Sequence, residues 1–328
     1  MILVTGAAGH IGNVLVRELL NRGEQVRALI LPGEDTHALD GLKVDRVEGN
    51  VLDPLSLERA MQGVQYVFHL AGIISIMPGR DEWMRRVNVQ GTRNVLQAAR
   101  KSGVKRLVYT SSIHALSRDC KHVIDEHVPF DPYNSAGDYD RTKAEASLAV
   151  MQAVRDGLEA VIVCPTGVIG PYDFRNSEMG ELLRGWMQKK LHVLVEGAYD
   201  FVDVRDVARG MILACLKGRK GEVYILSGQQ IRLVRMKEIV QQVAGIRTPT
   251  LNIPFWLAKV AVVLSPLYYR MACQTPKFTE YSLITVCSNS VISSAKAKRE
   301  LGYKARPIMR TIGDTIRWWR QKTQLKLI

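Results

Sequence analysis

The chain has 328 residues, of which 47% are hydrophobic and 23% charged, and it holds 26 glycines against 12 prolines. This composition excludes a disordered, collagen-like or low-complexity protein, and the length predicts one large α/β domain or a domain with an appended lobe. The formal charge of +13 comes from the C-terminal part: residues 1–204 hold 23 Lys and Arg against 26 Asp and Glu, and residues 205–328 hold 22 against 6. A basic lobe suits a polyanion, an anionic membrane surface or an anionic substrate, although a solvated basic face is the more common case.

The cysteines and the apolar segments bear on compartment and membrane contact. Five cysteines, odd in number, widely spaced and without a CxxC pair, predict neither disulfides nor a zinc or other metal site, and favour a reducing, cytoplasmic location. No basic segment typical of a signal peptide precedes the first strand. The most apolar stretch, 253–271, is interrupted by Lys259, Arg270 and two prolines, so we expect peripheral membrane contact or a cap over an apolar pocket, not a membrane span.

The first 165 residues alternate short apolar runs with helical patterns. Strands are predicted at 2–5, 25–30, 44–47, 66–70, 106–110 and 160–163. The first helix is amphipathic, because apolar residues recur with the helical period at Ile11, Val14, Leu15, Leu19 and Leu20. Strands that alternate with helices predict an α/β fold with a doubly wound parallel sheet of the Rossmann type, which binds ligands at the carboxyl ends of its strands.

After Pro165 the pattern loosens. Short helices are predicted near 180–190 and 235–244, and a terminal amphipathic helix at 308–319. We therefore expect a dinucleotide-binding domain at 1–165, which also receives parts of 198–230, and a smaller substrate-binding lobe formed mainly by 166–328.

A glycine-rich turn follows the first strand. Residues 5–12 read TGAAGHIG, in which Gly6, Gly9 and Gly12 supply a tight turn, a close backbone approach to a pyrophosphate and tight packing of the helix on the strand. The helix that opens at His10 and Ile11 presents its N-terminus to the anion. Because the turn lies between a strand and an amphipathic helix in a chain of repeating units, it predicts dinucleotide binding.

Two later segments bear on which dinucleotide binds. The second strand ends in Ile30-Leu31-Pro32, which has neither the acid that would bind a ribose diol nor the Arg that would bind a 2′-phosphate, so NAD is preferred over NADP without excluding it. At the end of the third strand lie Asn50 and Val51, where the Asn50 side chain either binds the adenine edge or is an ordinary polar loop residue.

A candidate catalytic group follows the fifth strand. Tyr139 and Lys143 are four residues apart, on one face of a predicted helix. An ammonium group near a phenol lowers the phenol pKa, so the pair would exchange a proton near neutral pH. The strand ends in two serines, of which Ser112 is predicted to project toward the substrate oxygen and Ser111 to face the other way.

These residues resemble those of the extended short-chain dehydrogenase/reductases, the NAD-dependent epimerase/dehydratase family, and within it the dihydroflavonol-reductase-like and 3β-hydroxysteroid-dehydrogenase-like members. The matching segments run nearly end to end and comprise 5–12, 68–72, 88–92, 109–112, 139–143, 164–171 and 201–208. The resemblance implies a catalytic triad of Ser112, Tyr139 and Lys143, with Lys143 also holding the cofactor ribose and Tyr139 beside it.

The resemblance also implies further cofactor contacts: Leu70, Ala71 and Gly72 would line the cofactor, and Pro165 would lie near the nicotinamide. It implies a homodimer formed through helices of the first domain. Three positions depart from the family pattern. Asn50 replaces a usual Asp, Cys164 replaces a frequent Arg, and Leu31 stands where reductase relatives commonly have the Arg that selects NADP.

Three functions compete. The leading one is an NAD(P)-dependent oxidoreductase that interconverts a ketone and a secondary alcohol. The second is a nucleotide-sugar epimerase or dehydratase that retains its NAD, and the third is a catalytically idle sensor of nucleotide redox state, which the complete triad disfavours. Segments rich in Ile, Met and aromatic residues (73–77, 172–174 and 254–269) favour an apolar substrate, whereas four basic residues favour a sugar-nucleotide diphosphate: Arg175, Arg184, Arg232 and Arg235. We expect no nucleic-acid partner, because no recognition motif accompanies the charge.

Overall fold

The computed structural model describes residues 1–74, 81–120, 122–189, 191–260, 281, 283, 285 and 289–325. The strands are β1 (Ile2–Thr5), β2 (Val26–Ile30), β3 (Asp45–Glu48), β4 (Tyr66–His69), β5 (Arg106–Thr110), β6 (Ala160–Pro165), β7 (Gly167–Ile169), β8 (His192–Val195), β9 (Ala198–Asp203), β10 (Val223–Leu226), β11 (Gln229–Arg232) and β12 (Thr250–Ile253). The helices are α1 (His10–Leu20), α2 (Pro54–Ala60), α3 (Asp81–Arg85), α4 (Thr92–Lys101), α5 (Asp138–Arg155), α6 (Glu178–Trp186), α7 (Val204–Lys217), α8 (Leu233–Ala244) and α9 (Ile308–Leu325). A π-helical turn (Arg86–Gly91) joins α3 to α4.

Seven of these strands form one parallel sheet. Their order is β10-β6-β5-β4-β1-β2-β3. Because β1 lies between β2 and β4, the strand order reverses at β1, and a sheet of this kind binds ligands in the crevice beyond the carboxyl ends of its strands at that point. The predicted doubly wound Rossmann-type fold is therefore confirmed, and the predicted strands fall within two residues of the observed ones.

Helices cover both faces of the sheet. On one face α1 and α7 pack together through residues such as Val14, Leu15 and Met211, all buried in one apolar cluster. On the other face α2, α4 and α5 bury Leu57, Val95 and Val150. The amphipathic stripe of α1 thus faces the sheet and α7, so its burial is completed by a helix nearly two hundred residues further along the chain.

The remaining elements form a lobe with its own core. It contains a three-stranded sheet in the order β11-β9-β7, a two-stranded sheet of β8 and β12, and the helices α6, α8 and α9. Trp186, Tyr199, Met236 and Ile312 are among the buried residues that these elements share. The chain leaves the large sheet after β6, builds part of this lobe, and returns with α7 and β10 before it completes the lobe.

Buried ion pairs join the lobe to α7. Arg306, just before α9, contacts the Asp206 carboxylate through two nitrogens, with Nη2 2.6 Å from Oδ1. Arg205 bridges Asp203, which caps the N-terminus of α7, and Asp314 of α9. A buried charge that loses its partner is strongly destabilising, so these contacts hold α9 against α7.

Among the described residues no helix is both long and apolar enough to cross a membrane. Of the apolar stretch 253–271, residues 261–271 lie outside the described part of the chain.

Candidate active site

The glycine-rich turn touches the segment that follows β4. Gly6 has a φ of +66°, and a Cβ on it would lie 2.8 Å from the Ala71 backbone nitrogen. A Cβ on Gly12 would collide with the Gly6 carbonyl oxygen. Both glycines are thus required by close backbone packing, the first between two loops and the second between the turn and α1.

A chain of hydrogen bonds runs from the π-helical turn to the glycine-rich turn. Thr92 Oγ1 donates to the Asn88 carbonyl oxygen at 2.6 Å, so it accepts from His69 Nε2 at 3.0 Å. His69 Nδ1 then accepts from Thr5 Oγ1 at 2.7 Å, and that oxygen accepts from the Ala71 amide at 3.1 Å. Burial lowers the pKa of His69 to about 3, so the ring stays neutral, as this pattern requires.

The N-terminus of α1 fits an anion. Gly9 precedes the helix, and among the described residues no side chain caps its first turn. The polar side chains nearby face the segment after β7: His10 Nε2 donates to Pro171 O at 3.0 Å, and Asn13 Nδ2 donates to Tyr172 O at 3.1 Å. The backbone amides and the positive end of the helix dipole therefore suit the diphosphate of a dinucleotide.

Asn50 and Val51 are held by their own surroundings. Asn50 Oδ1 accepts from the Leu52 amide at 2.9 Å, so only its amide group would reach an adenine edge. Val51 is buried against Gly91 of the π-helical turn, and its carbonyl oxygen accepts from Asn94 Nδ2 at 2.9 Å. Their predicted cofactor contacts stay predictions.

The structure brings an acid to the end of β2 that the sequence reasoning missed. A turn places Glu34 beside Leu31, where its Oε2 accepts from the Leu31 amide at 3.1 Å and its Oε1 accepts from Arg175 Nη2 at 2.6 Å. Glu34 and Arg46 both line a cavity of about 300 Å³ at this corner. The sequence does contain this acid four residues after the end of β2. It gave no prediction, because only the turn between Ile30 and Glu34 brings the carboxylate back to the end of the strand.

The two serines at the end of β5 face different neighbours. Ser111 Oγ lies 2.7 Å from Ser147 Oγ, which itself donates to the Lys143 carbonyl oxygen, so Ser111 donates to Ser147 and supports α5. Ser112 Oγ accepts from the His114 amide at 3.2 Å. The Ser112 hydroxyl hydrogen stays available for an oxygen at the site.

Tyr139 lies in the first turn of α5, close to Ser112. Burial raises the pKa of Tyr139 to about 12, and the nearby Ser112 hydroxyl opposes that rise. The predicted lowering of this pKa is wrong in direction, because burial of the phenol raises it and the neighbouring charge of Asp140 adds to the rise. The phenol is therefore protonated at neutral pH.

Lys143 lies one helical turn further on and is buried. Its Nζ donates to the Thr110 carbonyl oxygen at 2.6 Å and lies 4.7 Å from the centre of the Tyr109 ring. Burial lowers the pKa of Lys143 to about 8. The ammonium group is thus tied to the end of β5.

The predicted site residues share one edge of the sheet. Gly6, Leu70 to Gly72, Ser112 and Pro165 lie at or just after the ends of β1, β4, β5 and β6, which are successive neighbours in register. The helix that carries Tyr139 reaches the same edge through Lys143, which donates to the Thr110 carbonyl oxygen. The arrangement is one that the order of strands alone would produce, because parallel strands end together.

A buried polar cluster beside the catalytic tyrosine was not predicted. Asp140 is fully buried and lies 2.6 Å from Arg118 Nη2 and 2.7 Å from the Tyr281 hydroxyl. Arg118 also contacts His114, whose other ring nitrogen lies 2.7 Å from the Tyr199 hydroxyl. The sequence offers only the adjacency of Asp140 to the YxxxK pair, since the other members come from distant segments. These five residues are called the Asp140 cluster below.

We expect Lys143 to titrate near pH 8, well below the ordinary lysine value of 10.5, because burial penalises its ammonium form. NMR titration of the protein with ¹³C-enriched lysine should show one side chain that changes from ammonium to amine near that pH, and Lys143→Met should remove that resonance. A spectrum in which every lysine titrates at its ordinary value contradicts the burial argument.

Comparisons with known proteins agree with this geometry. A model of the NAD dependent epimerase/dehydratase family matches residues 2–227. Sterol demethylase protein B of Methylococcus capsulatus is 37% identical over 98% of both chains. A putative dihydroflavonol 4-reductase of Synechocystis sp. is 30% identical over 98% of this chain and 95% of its own, and a 3β-hydroxysteroid dehydrogenase/Δ5→4-isomerase of Mycobacterium tuberculosis is 29% identical over 92% and 85%.

Solved structures match over nearly the whole chain. The crystal structure of gox2253 has a TM-score of 0.86 at 34% identity and covers 98% of both chains. DesIV, a dTDP-glucose 4,6-dehydratase of Streptomyces venezuelae solved with NAD bound, shares the fold with a TM-score of 0.79 at 22% identity, covering 98% of this chain and 97% of its own. The chain belongs to the NAD-dependent epimerase/dehydratase family of extended short-chain dehydrogenase/reductases, and it is an enzyme with NAD as cofactor.

Proposed function

We propose that the protein interconverts a ketone and a secondary alcohol on a mostly apolar substrate, with Ser112, Tyr139 and Lys143 as its catalytic residues. The observation that carries the proposal is the proximity of Ser112 to a protonated Tyr139 at the end of β5, beside the loops that fit a dinucleotide. Two neighbouring hydroxyls provide two contacts for one substrate oxygen.

The chemistry follows from the protonation states. Because its phenol is protonated at neutral pH, Tyr139 holds the proton that a carbonyl oxygen needs when it is reduced. Ser112 accepts from a backbone amide, and its own hydrogen would be donated to the same oxygen. The nicotinamide supplies or accepts the hydride. In the oxidation direction Tyr139 takes the alcohol proton, which requires its pKa to fall in the loaded enzyme.

The cofactor-binding part of the proposal rests on the backbone at the sheet edge. The amides of Gly9, His10, Ile11 and Gly12 would hold the diphosphate, and the turn at Gly6 brings Leu70, Ala71 and Gly72 beside it. Asn50 and Val51 would meet the adenine, Lys143 the ribose next to Tyr139, and Pro165 the nicotinamide.

Two observations support an apolar substrate over a sugar nucleotide. Three of the four arginines that were considered for a diphosphate already have partners: Arg175 on Glu34, Arg184 on Asn176 and over Trp319, and Arg235 on Glu238. The relatives named above include a sterol demethylase protein and a 3β-hydroxysteroid dehydrogenase.

One predicted substrate segment has a different role. Tyr172 and Phe174 pack against Trp318 of α9, and the Arg17 guanidinium lies 4.8 Å from the Tyr172 ring centre. These aromatic residues therefore pack between α1 and α9. Residues 75–77 and 261–269 of the other two segments lie outside the described residues.

With a panel of steroid and flavonoid ketones, the enzyme should consume or form one NAD(H) for each substrate molecule converted. The reaction is monitored by the absorbance of NADH. Tyr139→Phe should lower kcat by about 100-fold or more, because it removes the transferred proton, while NADH still binds by fluorescence titration. Tyr133→Phe, a change at an exposed tyrosine, is the matched control. Interconversion of sugar nucleotides with no net change in NADH would instead establish the alternative function.

We also propose a homodimer formed through α4 and α5. A groove of about 750 Å³ between them is lined by Arg93 and Arg100 opposite Glu145 and Asp156, a self-complementary arrangement, and Leu148 is exposed beside it. Sedimentation equilibrium should give twice the 36.8 kDa chain mass, and Leu148→Glu should give the monomer mass. A monomeric unsubstituted protein contradicts this proposal.

Finally, we propose a cytoplasmic protein that touches an anionic membrane surface through the lobe. Leu251, Phe255 and Trp256 are exposed, Lys259 and Arg247 lie within the same stretch, and residues 245–260 contain no acid. The free thiols of Cys120, Cys164 and Cys215 suit a reducing compartment.

The protein should float with vesicles that contain phosphatidylglycerol and not with pure phosphatidylcholine, and salt should weaken this binding. Trp256→Ala should reduce flotation, whereas Trp83→Ala, a change at an exposed tryptophan of α3, should leave it unaltered. The proposed membrane-binding surface is contradicted if Trp256→Ala and Trp83→Ala float to the same extent, or if neither floats.

A further inference from the structure

Arg118 lies next to the first turn of α5, close to the catalytic tyrosine. Its Nε donates to Asp140 Oδ2 at 2.8 Å, and its Nη2 lies 2.6 Å from the same oxygen. Asp140 is fully buried and directly follows Tyr139 on α5. The guanidinium group is thus anchored next to the reaction site, and its Nη2 also lies 2.7 Å from His114 Nδ1.

Arginine determines which nitrogen of His114 carries a proton. A guanidinium group only donates hydrogen bonds, so His114 Nδ1 must accept, and the proton of the neutral ring is on Nε2. Burial lowers the pKa of His114 to about 4, which agrees with a neutral ring. Nε2 lies 2.7 Å from the Tyr199 hydroxyl and therefore donates to it.

Tyr199 consequently accepts from His114 and keeps its own hydrogen. Among the described residues no acceptor for that hydrogen is found. The other tyrosine of the Asp140 cluster differs, because the Tyr281 hydroxyl donates to Asp140 Oδ1 at 2.7 Å. A hydroxyl hydrogen without an acceptor in a buried place is costly, so Tyr199 calls for an acceptor that the described protein does not supply.

The Tyr199 ring is held in place on two sides. It stacks on the His114 ring with a centroid distance of 5.8 Å, and a Cβ on Gly167 would lie 2.8 Å from its Cε1. Gly167 comes two residues after Pro165, and the His114 ring lies 6.3 Å from the Tyr139 ring. The Tyr199 ring thus packs on the segment after β6, and its neighbour His114 also borders the catalytic tyrosine.

We propose that Tyr199 donates a hydrogen bond to a second oxygen of the substrate, close to the reacting carbon. Arg118 and His114 are positioning residues that direct this hydrogen toward the substrate. This inference rests on the proposed ketone and alcohol chemistry and narrows its substrate class to compounds with such a second acceptor. The reacting oxygen itself has Ser112 and Tyr139.

The first test needs no substrate. Long-range ¹H–¹⁵N NMR of the holoenzyme, with the His114 signals assigned through their loss in His114→Gln, should show the proton on Nε2 at neutral pH. Arg118→Met should change the tautomer, whereas Tyr199→Phe should leave it on Nε2, since Arg118 sets it. A proton on Nδ1, or a tautomer indifferent to Arg118→Met, overturns the inference.

The second test uses matched ketones: a flavanone with its 3-hydroxy derivative, and a 3-ketosteroid with and without an oxygen substituent at carbon 4. The oxygenated member should have the higher kcat/KM by about fivefold to tenfold, mainly through KM, and Tyr199→Phe should abolish this preference. His114→Gln, whose amide can accept from Arg118 and donate to Tyr199, should retain the preference, and His114→Phe should lose it.

The outcomes separate the two proposals. Absence of turnover on every ketone by the unsubstituted enzyme refutes the proposed function, and the tautomer measurement still decides how Arg118, His114 and Tyr199 are arranged. Turnover with the same preference in Tyr199→Phe refutes the present inference alone.

Discussion

A neutral histidine at the end of β4 connects the loops at the carboxyl ends of the parallel strands, where the dinucleotide is expected to bind. His69 accepts from Thr5 on one side and donates to Thr92 on the other, so one ring spans three segments that are far apart in sequence. The arrangement tolerates only one tautomer and no charge, which burial guarantees at physiological pH. The glycine-rich turn, the segment after β4 and the π-helical turn take their relative positions from this ring.

Buried hydrogen bonds also fix the position of α5. Three backbone or side-chain groups hold its first two turns: Thr110 O binds Lys143, Asn88 Nδ2 binds Thr142, and Arg118 binds Asp140. Each contact involves a residue next to, or one turn from, Tyr139. The phenol is therefore oriented by its helix, and its own hydroxyl is left for Ser112 and a substrate.

The parts of this structure that the sequence predicted follow from local pattern and from the geometry of parallel sheets. Hydrophobic periodicity located the elements, and since parallel strands end at one edge, Gly6, Ser112 and Pro165 had to lie near one another. The missing parts depend on long-range contacts. No local pattern links Arg118 to Tyr199, and the direction of the Tyr139 pKa shift depends on how deeply the folded chain buries the phenol. Glu34 was missed because its carboxylate reaches the end of β2 through a turn and is not part of the strand itself.

The path of the chain through the two lobes has a consequence for synthesis and for evolution. The edge strand β10 and the helix α7 that covers α1 are made only after the chain has built β7 and β9 of the other lobe. A fragment that stops at residue 165 would expose the apolar stripe of α1 and leave the β6 edge unpaired, a surface prone to aggregation. The nucleotide-binding half is therefore formed by two separate stretches of the chain. A single cut in the gene could not transfer it intact to another protein. It is assembled late, and both lobes must leave the ribosome before either is complete.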